Sequence, residues 1–167
     1  MKSLEKEERK LRRDLEDTKK ELAALDKKIE EIIREEMERE ARARTGTAIA
    51  LSSSFEQNKN KFPWPVNGFV SQRFGRQNHP VLKGIVLQNE GVNIQTKENE
   101  RVKTIFEGEV RAVAVMPTLG NSIIISHGDY YTVYSGLKQV YVKRGQKVKT
   151  NEEIGEVLTN VDGVSEL

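Results

Sequence analysis

Two periods divide the chain. Up to residue 44 the apolar positions recur at heptad spacing, and from Gly68 onward they alternate. With Glu8, Leu15, Leu22, Ile29 and Glu36 at heptad position a, position d is Leu4, Leu11, Thr18, Leu25 and Ile32. Seven of these ten are aliphatic, and nearly everything between them is charged. A stripe that narrow is a coiled-coil seam rather than the broad apolar face of a globular helix. No glycine or proline interrupts residues 2–44, so the spacing predicts one helix about 65 Å long. Such a stripe cannot bury itself alone. It needs a second copy, an upstream helix or the domain behind it, and self-association through residues 2–45 is one expected outcome.

The helix is expected to stop at Thr45-Gly46-Thr47, with Gly46 as its C-cap. Residues 46–61 read as a linker with room for one helical turn, because a serine triplet and polar residues follow Ala48–Leu51. Phe62-Pro63-Trp64-Pro65-Val66 is an extended aromatic clamp, expected to lie along a domain edge with Trp64 sealing it. Short β-rich runs then follow at 69–73, 85–88, 92–96, 101–106, 109–115, 122–126, 130–134, 140–142 and 153–158, punctuated by glycines. Many short strands at close spacing predict an antiparallel sheet or sandwich over residues 62–167. Asn121–Ser126 is the most apolar run and the candidate central strand. The fold class is therefore mainly β, preceded by a long coiled-coil helix.

Charge adds one distinction. Residues 1–45 hold fourteen Lys/Arg against fourteen Asp/Glu, so the net charge of +2 belongs to the rest of the chain. A charge this small gives no reason to expect a nucleic-acid partner. The absence of cysteine removes disulfides and thiolate metal sites from consideration. No run of about 18 apolar residues occurs, and the first ten residues carry no apolar core of a signal peptide. Lys143-Arg144 and Lys147–Lys149 read as solvated edge charges, as do Glu90 and Asp129 in loops.

Several pieces of the β region carry a family resemblance when taken in order. They are Arg73-Phe74-Gly75-Arg76 with His79-Pro80; Gly91-Val92-Asn93-Ile94; Gly108-Glu109-Val110; Gly120 to Gly128; Tyr131 to Leu137; and Val142 to Val148 closing on Ile154-Gly155. Together they resemble the LytM-type, or lysostaphin-like, zinc metallopeptidase domain over residues 62–167. Active members of that family cut peptidoglycan, and their metal ligands come from an H-x-x-x-D motif and a late H-x-H, with helper histidines in Y-x-H-L and H-x-H. Zinc needs imidazole or carboxylate ligands and one open position for water.

This sequence departs from that pattern wherever the two can be compared. Asn89 and Asn93 stand in H-x-x-x-D, Gly136 stands in Y-x-H-L, and Glu166 stands at the first position of H-x-H, whose second position falls past Leu167. Amide oxygens bring no charge and suit harder ions. His79 and His127, the two histidines of the chain, match non-ligand positions of the family. The resemblance thus implies a domain without metal, cofactor or catalysis, kept for binding. With its preceding coiled coil it resembles the EnvC-like murein hydrolase activators, which switch on peptidoglycan amidases in the periplasm at cell division. That implies an amidase segment docked in the former substrate groove, lined by Arg76, His79, Asn89, Asn93, His127, Tyr134 and Gly136. It also implies a coiled-coil arm meeting a membrane division protein. The alternatives are an active zinc endopeptidase and a structural, peptidoglycan-binding scaffold.

Overall fold

The computed structural model describes residues 2–43 and 46–167. Helix α1 spans Lys2–Arg42, so the heptad segment is one continuous helix. The expected stop at Thr45-Gly46-Thr47 includes Thr45, which lies outside the described residues. Gly46 does not cap α1; it opens a second helix, α2, Gly46–Gln57. The stretch read as a linker is therefore helical. Its serines bond locally rather than loosening the chain: Ser52 Oγ donates to the Ala48 carbonyl at 3.0 Å, and Asn58 Nδ2 donates to the Ser54 carbonyl at 2.9 Å. The turn after α2 passes through Asn60 in the left-handed region, φ 67°.

A small side chain at position 52 lets α2 approach the sheet closely. The Ser52 hydroxyl accepts the Asp129 amide at 2.7 Å. A Cβ on Gly128, at φ +87°, would lie 2.1 Å from Ser52 Oγ, so only glycine fits beneath the helix there. Phe55 of α2 then completes an aromatic cluster. It stacks on His127 at 4.7 Å and on Tyr130 at 5.2 Å, and it meets Phe62 at 4.6 Å and Phe106 at 5.5 Å. Within the aromatic clamp it is Phe62, not Trp64, that seals. Trp64 is 67% exposed, while the Pro65 carbonyl accepts the Lys103 amide at 2.8 Å and so covers a sheet edge.

Eleven strands follow. They are β1 Gly68–Gln72, β2 Gly75–Asn78, β3 Val86–Asn89, β4 Asn93–Thr96, β5 Arg101–Lys103, β6 Gly108–Met116, β7 Gly120–Ser126, β8 Tyr131–Val140, β9 Lys147–Val148, β10 Glu153–Val157 and β11 Ser165–Glu166. They form a six-stranded sheet ordered β5-β10-β8-β7-β6-β9, a three-stranded sheet β1-β4-β11 and a hairpin β2-β3, all antiparallel. The antiparallel expectation holds, and β7 occupies an inner place with Ile123, Ile124 and Ile125 fully buried. Alternate strand residues point to opposite faces. Ile123 and Ile125 join Val110, Leu137, Ile154, Val157 and the small sheet's Ile94 in the core. Ser122, Ile124 and Ser126 face the other way.

That second face is where α1 lies. Ser126 Oγ and Tyr131 Oη each donate to the Glu40 carboxylate at 3.0 Å, and Arg111 of β6 forms an ion pair with the same group. Burial, and then the hydrogen bond to Glu40, push the Tyr131 hydroxyl up, so it remains a donor. One turn back, Glu36 is 4% exposed and takes Arg144 at 2.8 Å and Arg39 at 3.0 Å. Arg144 thus anchors the helix through its guanidinium while its side chain stays 60% exposed. Leu25 is 4% exposed, whereas Leu4 is 70% and Leu22 45% exposed. One seam has two uses: its later part packs on the chain's own sheet, and its earlier part stays open.

Removing the Glu40 carboxylate leaves Tyr131 without its acceptor and Arg111 with Glu109 alone, while Ser126 keeps the Gly128 carbonyl at 3.2 Å, and should weaken α1 docking by about 2–3 kcal/mol. Hydrogen exchange on Glu40→Ala is expected to show faster amides across residues 25–42, with β7 and β8 still protected.

Candidate functional site

Four strands bring the site together. Phe69, Gln95 and Glu166 are directly opposite one another across β1, β4 and β11, so they share one face of the small sheet. Asn93 is two residues before Gln95 and falls on the same face. The bulge after Val70 turns Ser71 toward it. Asn89 closes the hairpin opposite Gly75. Three of the four positions that the resemblance aligns with the metal site then join through side chains. Asn89 Nδ2 donates to Asn93 Oδ1 at 2.9 Å, and Asn93 Nδ2 donates to Glu166 Oε2 at 3.2 Å. The Gly91 amide donates to Asn89 Oδ1 at 3.2 Å. Ser71, which the sequence did not single out, donates its hydroxyl to Glu166 Oε1 and approaches the Asn93 carbonyl at 3.3 Å.

The fourth altered position, Gly136, is also here, but it offers no vacancy. It sits at φ +78°, and a Cβ would lie 2.7 Å from the Glu166 carbonyl. The space beside it is taken by β11. A histidine at this position would need both a strained backbone and a displaced strand.

Other expected groove residues separate. His127 has no exposed surface. Its Nδ1 meets the Glu107 carbonyl at 2.6 Å and its Nε2 meets Thr132 Oγ1 at 2.8 Å. A carbonyl only accepts, so Nδ1 carries the proton and Nε2 accepts from the hydroxyl. Burial pushes the imidazole pKa down, against the opposing pull of the Glu107 carbonyl. Tyr134 is 4% exposed, and its hydroxyl accepts the Ile105 amide at 3.0 Å. Neither residue can touch a partner; both are removed from the groove because the core's hydrogen bonds consume them. His79 stays at the hairpin, where Nδ1 accepts the Val81 and Leu82 amides at 3.1 and 3.0 Å. It shapes the hairpin tip. Arg76 remains exposed on β2 opposite Gln88, at the site's rim.

Helix α1 passes the same rim. Burial, then the charges of Glu90 and Glu30, raise the Asp26 carboxyl pKa. Asp26 on α1 therefore stands within electrostatic reach of Glu90, beside Asn89.

The donor chemistry does not fit zinc. Two carboxamides are committed to each other and to Glu166, a single carboxylate completes the cluster, and no imidazole reaches it. Among the described residues, no group of three or more His, Cys, Asp or Glu side chains is placed to share an ion.

A curled antiparallel fold with Asn89, Asn93 and Glu166 gathered beside its small sheet matches one class, a metallopeptidase-like β domain. Residues 87–165 match the model of peptidase family M23, and this part of the chain is an M23, LytM-type, domain. It is 35% identical over 101 residues to the cell division protein DipM of Caulobacter vibrioides, covering 59% of this chain and 16% of that protein. It is 32% identical over 104 residues to the peptidoglycan DD-endopeptidase ShyA of Vibrio cholerae, covering 61% of this chain and 24% of that one. The fold also matches the crystal structure of a zinc-containing peptidase from Vibrio cholerae. That likeness has a TM-score of 0.53 at 28% identity, over 63% of this chain and 35% of that one. The chain thus spans between a sixth and a quarter of the length of these two curated relatives.

Two outcomes are expected from this geometry. Gly136→Ala should cost about 1–3 kcal/mol through the left-handed backbone and the Glu166 contact, read as a lower urea midpoint. For His127, a folded-state pKa below the unfolded one means the unfolded chain binds the extra proton. Stability should therefore fall as pH drops below about 6.5 and level off beneath the depressed folded value. Urea midpoints for wild type and His127→Gln across pH 7.5 to 5 should show the slope flattened in the variant.

Proposed function

We propose that this chain is a non-catalytic M23 domain that activates peptidoglycan amidases in the cell envelope during wall remodelling and division. The observation that carries the reading is the chemistry at the former metal positions. Amides hydrogen-bonded to one another and to Glu166 supply neither the charge nor the imidazoles that a zinc-bound water requires. Similarity to a cell division protein supports the biological setting. Similarity to a named DD-endopeptidase supports peptidoglycan as the common ground, and it keeps hydrolysis as the competing reading.

The binding surface of this reading is the site face with its exposed rim. Phe69 is 62% exposed beside Gln95 and Glu166, and Arg76 projects from the adjoining hairpin. An amphipathic segment of an amidase would set its apolar side on Phe69 and its acidic side toward Arg76. Helix α1 supplies the arm. Its open seam at Leu4, Leu11 and Leu22 suits a helix of a membrane-anchored division protein or a second copy of α1.

Purified wall is incubated with a zinc amidase, with and without this protein. Faster release of soluble fragments only in the mixture is the expected result. Release by this protein alone would establish the competing reading. Arg76→Glu should reduce the stimulation several-fold while leaving thermal unfolding unchanged, since the Arg76 side chain is exposed on β2.

A further inference from the structure

A metal in an M23 site would tie together the segments that carry its ligands. Here the same segments need some other tie. The turn carrying Asn89 and Asn93 joins the hairpin to the small sheet. Glu166 is on β11, a strand of only two residues, and Ser71 is on β1, whose residues are largely exposed. Backbone bonds between Leu167 and Ile94, both at 3.0 Å, and buried Ser165 hold β11 on β4, whereas exposed β1 meets it through the Ser71–Glu166 side-chain contact.

We propose that Asn89, Asn93, Glu166 and Ser71 form a metal-free clasp, which takes over the structural role of the ion and fixes the width of the site. Each link in the chain is a different atom pair. The Gly91 amide holds Asn89 Oδ1, Asn89 Nδ2 holds Asn93 Oδ1, Asn93 Nδ2 holds Glu166 Oε2, and Ser71 holds Glu166 Oε1. Each amide is donor and acceptor at once, so the chain of bonds propagates with no ion at its centre. Glu166 ends it as an acceptor for two donors from two strands, and charge-assisted bonds of this kind are the stronger sort. Gly136 completes the arrangement from the other side, since its missing Cβ lets the Glu166 carbonyl sit where a helper histidine would project. The five residues therefore form one unit: placing an imidazole at 136 would displace the strand that carries the clasp's carboxylate. The clasp shares with the non-catalytic reading only the requirement that the site work without metal.

The test is thermal unfolding of the full chain in EDTA and with equimolar zinc. Wild type is expected to give the same Tm within about 1 °C in both. Asn93→Ala and Glu166→Ala should each lower Tm by about 5–10 °C, and the double variant should fall by clearly less than the sum of the two, because they share the Asn93–Glu166 link. If an alanine variant does not fold, the nearly isosteric Asn93→Asp serves instead. It sets a second carboxylate against Glu166, so its Tm deficit should be large at pH 7.5 and shrink toward pH 4.5 as one of the pair takes up a proton. A zinc-induced rise in wild-type Tm would overturn both the clasp and the non-catalytic reading. Additive alanine effects, or an Asn93→Asp deficit independent of pH, would overturn the clasp alone.

Discussion

Strand β7 is apolar on both sides, and that constraint arranges the rest of the molecule. Ile123 and Ile125 need one cover and Ile124 needs another. A two-residue period cannot serve a single core when consecutive isoleucines are all buried. The small sheet contributes Ile94 to one side. On the other side lies α1, held by carboxylates rather than by apolar area alone. Glu36 and Glu40 sit at the packed end of the helix and meet Arg144, Arg111, Ser126 and Tyr131. Partly buried charges of this kind are costly unless paired, so they contribute more to orientation than to net stability.

Much of this was legible in the sequence, for physical reasons. The helix followed from a seam seven-tenths aliphatic with no breaker. The central strand followed from Ile123-Ile124-Ile125, and the domain type followed from ordered glycine-bounded strands. The convergence of Asn89, Asn93, Gly136 and Glu166 was implied by the family resemblance, not by the strand pattern, since β11, which carries Glu166, is only two residues long. Three things were not. Helix α2 was hidden because serines usually favour turns, and here they bond back to their own helix beneath a glycine that leaves room for it. Strands β2, β9 and β11 are four, two and two residues long, too short for a period to register.

The third miss concerns direction. Periodicity locates a residue along a strand but cannot say which face is the site when a bulge intervenes. Register shifts interrupt the β7–β8 and β6–β7 pairings, so Tyr134 turns into the core while its neighbour Gly136 borders the site. His127 was lost from the groove for a related reason: the turn that carries it is roofed by Phe55 from a helix the sequence did not announce. Ser71 could have been found only by knowing that the bulge after Val70 aims it at Glu166.

The exposed position of Trp64 has an optical consequence. It is the chain's single tryptophan, and about two thirds of its surface already meets water in the native state. Its emission therefore starts close to that of a hydrated indole and has little distance to travel when the chain unfolds. Red-shift assays that serve most small domains would follow the proline-flanked edge and miss the collapse of the sheets. The near-ultraviolet signal of the Phe55, Phe62, Phe106 and Tyr130 cluster is the native-state reporter that this molecule provides.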